Sequence, residues 1–142
     1  MANGIERKYR LITIVCIIIA LLGRLFSFGL GFIFFLIIIF PIHSLIFAKI
    51  NSKIVKTFEQ SNNYKIGFWI SCISFVLAYI FLPDYTNIDS SMDAHAFFGM
   101  IMDMNVLNKL HDFALLCFLL NVVSMGVNCL IIMDMKDEGK IN

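Results

Sequence analysis

The sequence predicts an all-α integral membrane protein, with four transmembrane helices in a compact bundle and an additional interfacial amphipathic helix between spans three and four. Composition is the first reason. Of the 142 residues, 60% are hydrophobic and only 15% are charged, whereas soluble domains carry roughly 45–50% apolar and about 25% charged residues. The second reason is that the uncharged runs are as long as membrane spans. We treat residues 1–142 as a single membrane domain.

The first apolar region is long enough for two spans. Only two residues between positions 11 and 50 are charged, and one helix of that length would measure about 60 Å, twice the hydrocarbon thickness. The glycine-rich stretch 23–31 is the natural break. Span one is therefore predicted at about residues 9–26 and span two at about 29–49. No small-x-small cleavage pattern follows span one, so we expect it to be retained and not removed as a signal peptide.

Spans three and four are single uncharged runs. Span three is predicted at about residues 66–82, where Pro83 ends it, and span four at about 113–133, between Asp112 and Asp134. Small residues recur on one face of spans one and three, which predicts close approach of neighbouring helices.

Basic residues predict the orientation of the spans. They concentrate before span one and between spans two and three, at Arg7, Lys8, Arg10, Lys49, Lys53, Lys56 and Lys65. By the positive-inside rule both termini are cytoplasmic and the acidic outer segment 83–112 lies outside, in a bacterial inner membrane. Arg24 is the exception. It either snorkels to the outer interface or pairs with an aspartate of the outer segment.

A polar stripe runs along span four. Asn121, Ser124 and Asn128 fall on one helical face. One interpretation is that they form interhelical hydrogen bonds, and the other is that they border a substrate or ion path.

Pro41 near the middle of span two predicts a kink, and His43 follows it. His43 either donates a hydrogen bond, to a neighbouring helix or to the backbone that Pro41 frees, or belongs to a proton relay. No span contains an acidic residue that could share a relay with it.

The outer segment is predicted to contain an amphipathic helix over residues 94–110, with an N-cap before it. An acidic surface that also carries methionine and aromatic side chains is typical of an interface between proteins. The predicted partner-binding residues are Asp93, His95, Phe97, Met100, Met104 and Leu107.

Other chemistry has weaker support in this segment. The methionines at 92–104 with His95 and His111 could offer ligands to copper(I), but offsets of two cannot share one helix face. Aspartate–histidine neighbours could form an acid/base pair, but no nucleophile or phosphate-binding loop accompanies them. We therefore expect no enzyme activity, no metal and no cofactor. A net charge of +1 also argues against nucleic-acid binding.

The predicted function is protein–protein interaction by a small polytopic membrane protein, either as an accessory subunit of a membrane complex or as an immunity or exclusion-type inhibitor. The expected partners are membrane lipid and another membrane or extracytoplasmic protein. A small homo-oligomeric transporter or channel is the alternative.

Overall fold

The computed structural model describes residues 2–25, 35–58, 63–82, 84–86, 93–96, 100–101 and 104–139. Four α-helices and three short strands lie in these ranges. The helices are α1 (Ala2–Leu25), α2 (Phe40–Ile54), α3 (Asn63–Phe81) and α4 (Met104–Asp137). The strands are β1 (Asp84–Thr86), β2 (Asp93–Ala96) and β3 (Met100–Ile101).

Three helical segments are long and apolar enough to cross a membrane. They are Ile37–Thr57, Tyr64–Phe81 and Asn105–Asp137, and they contain or overlap the predicted spans two, three and four. The prediction of a helical membrane protein is confirmed to this extent. α1 covers most of predicted span one but is not among the three segments.

Contacts at one end of the bundle, which we call the basic end, join all four helices. The ring of Tyr9, in α1, lies 4.8 Å from that of Phe58, just beyond α2, at an angle of 83°. The Tyr64 hydroxyl, in the first turn of α3, lies 4.0 Å from the Met135 sulfur, near the end of α4. Tyr9 also contacts Phe68 of α3, with ring centroids 5.2 Å apart. The starts of α1 and α3 therefore meet the ends of α2 and α4.

The opposite end of the bundle is closed by two further contacts. Arg24 of α1 donates a hydrogen bond to the carbonyl oxygen of Leu82, directly after α3. The rings of Phe81 and Phe113 meet edge to face at 5.5 Å and join α3 to α4. The four helices consequently alternate in direction, and α1 runs from one end of the bundle to the other beside α3.

The interior is built around aromatic side chains. The rings of Phe47 and Phe75 stack at 4.1 Å with an angle of 9° between their planes. The edge of one ring meets the face of the other between Phe40 and Tyr79, at 4.9 Å. Such rings bury large areas and prefer offset-stacked or edge-to-face geometry, so they fix how α2 packs on α3. Leucine, isoleucine and valine side chains cover much of the outer surface, where lipid would contact them.

The predicted amphipathic helix over residues 94–110 is wrong at residues 94–96 and 100–101, which form strands, whereas residues 104–110 are helical. β1 pairs antiparallel with β2, with Tyr85 opposite Ala94, and β2 pairs antiparallel with β3, with His95 opposite Ile101. α4 begins at Met104 and continues without interruption into predicted span four. Gly99 interrupts the predicted helical stripe, and glycine costs about 1 kcal/mol relative to alanine inside a helix. Pairing between strands instead satisfies the backbone groups of the segment.

Candidate functional site

A hydrogen-bonded cluster centred on His43 joins three helices in the interior of the bundle. His43 Nδ1 lies 2.7 Å from the hydroxyl oxygen of Tyr79, in α3. His43 Nε2 lies 2.9 Å from Oδ1 of Asn121, in α4. All three side chains are buried. Of the two sequence interpretations of His43, the structure therefore shows the hydrogen bond to a neighbouring helix.

The hydrogen-bond partners determine which ring nitrogen of His43 carries the proton. The Asn121 amide nitrogen donates to the backbone carbonyl of Ser71 over 2.7 Å, so Oδ1 of the same amide faces the imidazole. Because a carboxamide oxygen only accepts, Nε2 of His43 must be protonated. The neutral ring then accepts at Nδ1 from the Tyr79 hydroxyl. Three hydrogen bonds follow one another in one direction, from Tyr79 through His43 and Asn121 to Ser71.

The polar stripe of α4 forms further hydrogen bonds with α3 toward the basic end of the bundle. The Ser124 hydroxyl donates to the Gly67 carbonyl over 3.0 Å, and the Asn128 amide nitrogen donates to the same carbonyl over 3.4 Å. The Asn121 amide also lies 3.4 Å from the Ser74 hydroxyl. Asn121, Ser124 and Asn128 thus all bond to α3, which is the interhelical arrangement the first interpretation of the stripe describes.

The absence of a side chain at Gly67 allows this contact. A Cβ atom at that position would lie 2.5 Å from Oδ1 of Asn128. A methyl group would therefore overlap the buried amide, and the Asn128 side chain or the helices would have to shift to make room for it.

Some buried polar atoms next to these contacts have no hydrogen-bond partner within the described part of the chain. They are Oδ1 of Asn51, Oδ1 of Asn128 and the hydroxyl of Ser44. Asn51 uses its amide nitrogen on the Cys72 sulfur, at 3.6 Å. A buried acceptor without a donor reduces stability.

Pro41 occupies the second position of α2, directly after a π-helical turn that spans Phe35–Ile39. A proline lacks the amide hydrogen that a regular helix needs, and π turns occur as local irregularities in α-helices. The two features together place His43 one turn beyond a change in helix geometry.

The predicted partner-binding residues are distributed over several elements. Asp93 and His95 belong to β2 and Met100 to β3. Met104 is the first residue of α4, whereas Phe97 lies outside the described residues. Leu107 is fully buried, so its predicted place on a binding surface is wrong. Its burial reflects packing of the start of α4 against the rest of the chain.

An apolar cavity of about 230 Å³ lies between α3 and α4, toward the end opposite the basic end. Its lining residues are Ala78, Tyr79, Leu82, His111, Ala114, Leu115 and Phe118. Tyr79 therefore belongs both to the His43 cluster and to the lining of this cavity. In the ranges that the structure describes, no three His, Cys, Asp or Glu side chains group as metal ligands.

Arg24 donates a hydrogen bond to the backbone at the end of α3, a contact that the sequence did not suggest. Asp89 and Asp103 of the outer segment lie outside the described residues, so pairing of Arg24 with an aspartate there stays a prediction. The Arg24 side chain is buried, with 2% of its surface exposed, and Nη1 donates to the Leu82 carbonyl oxygen over 2.7 Å. That oxygen follows the last turn of α3, where carbonyl groups lack helical partners and carry partial negative charge. The guanidinium therefore caps α3.

Two of these partners were not identified from the sequence. Tyr79 was read only as part of an apolar span, although it follows Ser71 by about two turns on α3. The capping role of Arg24 depends on the end of a helix 58 residues away, and no local pattern marks it.

No protein-family model, curated protein or solved structure matches this chain.

Proposed function

We propose that this protein acts by binding another membrane or extracytoplasmic protein, as an accessory subunit of a membrane complex or as an immunity or exclusion-type inhibitor. The surface proposed for binding, which we call the platform, comprises β1, β2, β3 and residues 104–112 of α4. The length of α4 is the observation that carries the proposal.

α4 is longer than a bilayer requires. Its 34 residues correspond to about 51 Å of helix, against about 30 Å of hydrocarbon. The end that projects begins with exposed residues such as Asn105, Lys109 and Asp112, which suit water or a polar protein surface. β2 packs against α4, so the helix supports the small sheet. A rigid element outside the membrane is a suitable base for a docking surface.

The interior of the bundle supports binding over transport. Its described polar side chains are largely engaged with one another, as in the chain of bonds from Tyr79 to Ser71. No acidic residue lies at the depth of His43 in any helix. Ion or proton pathways in membranes are marked by ionisable residues that face one another or a water-filled cavity. Hydrogen bonds that join one helix to another have a structural role instead.

We further propose that α1 is the fourth span. It extends from the contact of Tyr9 with Phe58 to the contact of Arg24 with Leu82, the same two ends that α3 connects. With four crossings both termini lie on one side, and the basic residues of that side support a cytoplasmic location in a bacterial cell. The platform then faces outward.

The experiment compares two charge reversals on the same helix. The tagged protein is extracted from its native membrane with a lipid-preserving polymer, and chains that co-purify in stoichiometric amount are identified by mass spectrometry. Lys109→Glu alters the platform, and Lys136→Glu alters the exposed opposite end of α4. We expect a distinct partner chain with the wild type and with Lys136→Glu, and its loss with Lys109→Glu.

Two results would contradict the proposal. The first is purification of the chain alone as a homo-oligomer, which would favour the transporter or channel alternative and call for flux measurements. The second is equal recovery of a partner with both variants, which would place the interface elsewhere on the molecule.

A further inference from the structure

A groove between α1 and α2 combines a cation, two hydroxyl groups and an apolar wall. The concavity measures about 250 Å³, and its lining residues are Arg10, Thr13, Ile14, Ala48 and Ser52. It lies at the basic end of the bundle, since Arg10 follows Tyr9. We propose that this α1/α2 groove binds one anionic phospholipid whose head group carries free hydroxyl groups.

Arg10 supplies the contact for the phosphate. Its Nη2 atom donates to Oε1 of Glu6 at 2.5 Å, in a pair whose arginine side chain is 55% exposed. A guanidinium has five N–H donors, so others remain for a phosphodiester. The Glu6 carboxylate beside the groove offsets part of the charge of Arg10, so the net positive charge there also depends on neighbouring lysines. Two exposed lysines of α2, Lys49 and Lys53, add positive potential at the basic end of the bundle.

The two hydroxyl groups favour a particular head group. Thr13 donates its hydroxyl hydrogen to the Tyr9 carbonyl over 3.1 Å, and Ser52 donates to the Lys49 carbonyl over 3.0 Å. Because both hydrogens are engaged, each hydroxyl oxygen keeps a lone pair that can accept a further hydrogen bond. The oxygens of a phosphodiester are acceptors, so they form no hydrogen bonds with hydroxyl groups whose hydrogens are already engaged. Hydroxyl groups of a glycerol head group are donors and would bond to them.

The apolar wall gives the acyl chains a path toward the bilayer centre. Ile14 is 55% exposed, and Ile18 lies one turn farther from the basic end on α1. Leu45 lies about one turn farther on the antiparallel α2 and is 71% exposed. The groove has roughly the volume of eight water molecules in the liquid, so it accommodates a head group and leaves the chains outside. Basic pockets between membrane helices bind anionic head groups in this way.

The test uses the full chain, delipidated in mild detergent and titrated in native mass spectrometry with lipids of identical acyl chains. The probes are phosphatidylglycerol, phosphatidic acid and phosphatidylcholine. We expect one phosphatidylglycerol to bind before the other lipids. Arg10→Gln should lower its affinity about fivefold, the factor corresponding to ~1 kcal/mol for one basic side chain at an anionic lipid. Lys56→Gln removes an equal charge at the same end but outside the groove, and should change the affinity less than about twofold.

A second variant tests the hydroxyl groups. Thr13→Val combined with Ser52→Ala should abolish the preference for phosphatidylglycerol over phosphatidic acid and keep the preference of both over phosphatidylcholine. Unchanged melting temperatures without added lipid show that the variants are folded.

Three outcomes would overturn the proposal. Equal losses with Arg10→Gln and Lys56→Gln would indicate diffuse electrostatic attraction and no site. Equal binding of phosphatidylglycerol and phosphatidylcholine would remove the anionic requirement. Displacement of the lipid by free glycerol phosphate at comparable concentration would assign the groove to a soluble phosphate ester.

Discussion

His43 and Asn121 are 78 positions apart in the sequence, yet Nε2 of the histidine and Oδ1 of the asparagine lie 2.9 Å apart in the interior of the bundle. This bond joins α2 to α4, and the same asparagine bonds the Ser71 carbonyl of α3. One amide therefore links three helices.

Asn121→Leu should destabilise the bundle by about 1–2 kcal/mol, since interhelical hydrogen bonds in membranes contribute about 0.6–1.7 kcal/mol and a buried donor is left without a partner. The measurement is unfolding in mixed micelles, followed by circular dichroism. Val122→Leu, on the exposed side of the same turn, is the control and should change stability by less than about 0.5 kcal/mol. Equal stability of Asn121→Leu and wild type would show that the amide has no structural role.

Tyr79→Phe should reduce stability by about 1 kcal/mol, because the phenol hydroxyl is the donor to Nδ1 of His43 and its loss leaves a buried acceptor. Tyr64→Phe removes a hydroxyl whose hydrogen bond within the described residues is a long one, to a sulfur atom at 4.0 Å, and should have a smaller effect. The same unfolding assay compares the two. If Tyr64→Phe costs as much as Tyr79→Phe, the short bond to His43 does not contribute.

Gly67→Ala should weaken the packing of α3 on α4, since the added methyl group would lie 2.5 Å from Oδ1 of Asn128. Overpacking of this kind costs about 1–3 kcal/mol. Gly126→Ala is the matched helical control, because nothing lies within 4 Å of its added Cβ. It should leave stability unchanged or raise it by up to about 1 kcal/mol. A loss of stability with Gly126→Ala as large as that with Gly67→Ala would contradict close packing at Gly67.

Arg24→Gln should destabilise the end of α3 by about 1–3 kcal/mol, because it removes the charged donor to the Leu82 carbonyl. Hydrogen exchange of the last turn of α3 should rise more than exchange elsewhere in that helix. Arg7→Gln removes an exposed charge at the opposite end of α1 and should leave this exchange unchanged. Uniform exchange changes with Arg24→Gln would mean that the guanidinium does not act as a cap.

Membrane spans were predictable because they depend on local length and composition. A run such as Tyr64–Phe81 is long and apolar enough to cross a bilayer, and this can be read without knowing its neighbours. The small and polar faces could be found as well, since Asn121, Ser124 and Asn128 recur at helical spacing.

Hydrogen-bond partners that lie on different helices could not be predicted from the spacing of residues in the sequence. Which side chain meets His43 depends on how far each helix is rotated and shifted, and Tyr79 carries no pattern that reveals this. The strands of the platform were missed for a related reason. β2 pairs with a strand on either side of it, while the apolar stripe that predicted a helix lies beyond β2, at Phe97, Met100, Ile101, Met104 and Leu107.

The alternating four-helix arrangement, with α1 as a span and the platform opposite the basic end, is the central claim, and labelling of single cysteines tests it most directly. In a background without native cysteines, Arg7→Cys, Lys56→Cys and Lys109→Cys are treated with a membrane-impermeant maleimide before and after permeabilisation. We expect position 109 to react in intact cells and positions 7 and 56 only after permeabilisation. Reaction of positions 56 and 109 from the same side would contradict the crossing by α3, and reaction of positions 7 and 56 from opposite sides would show that α1 does not cross.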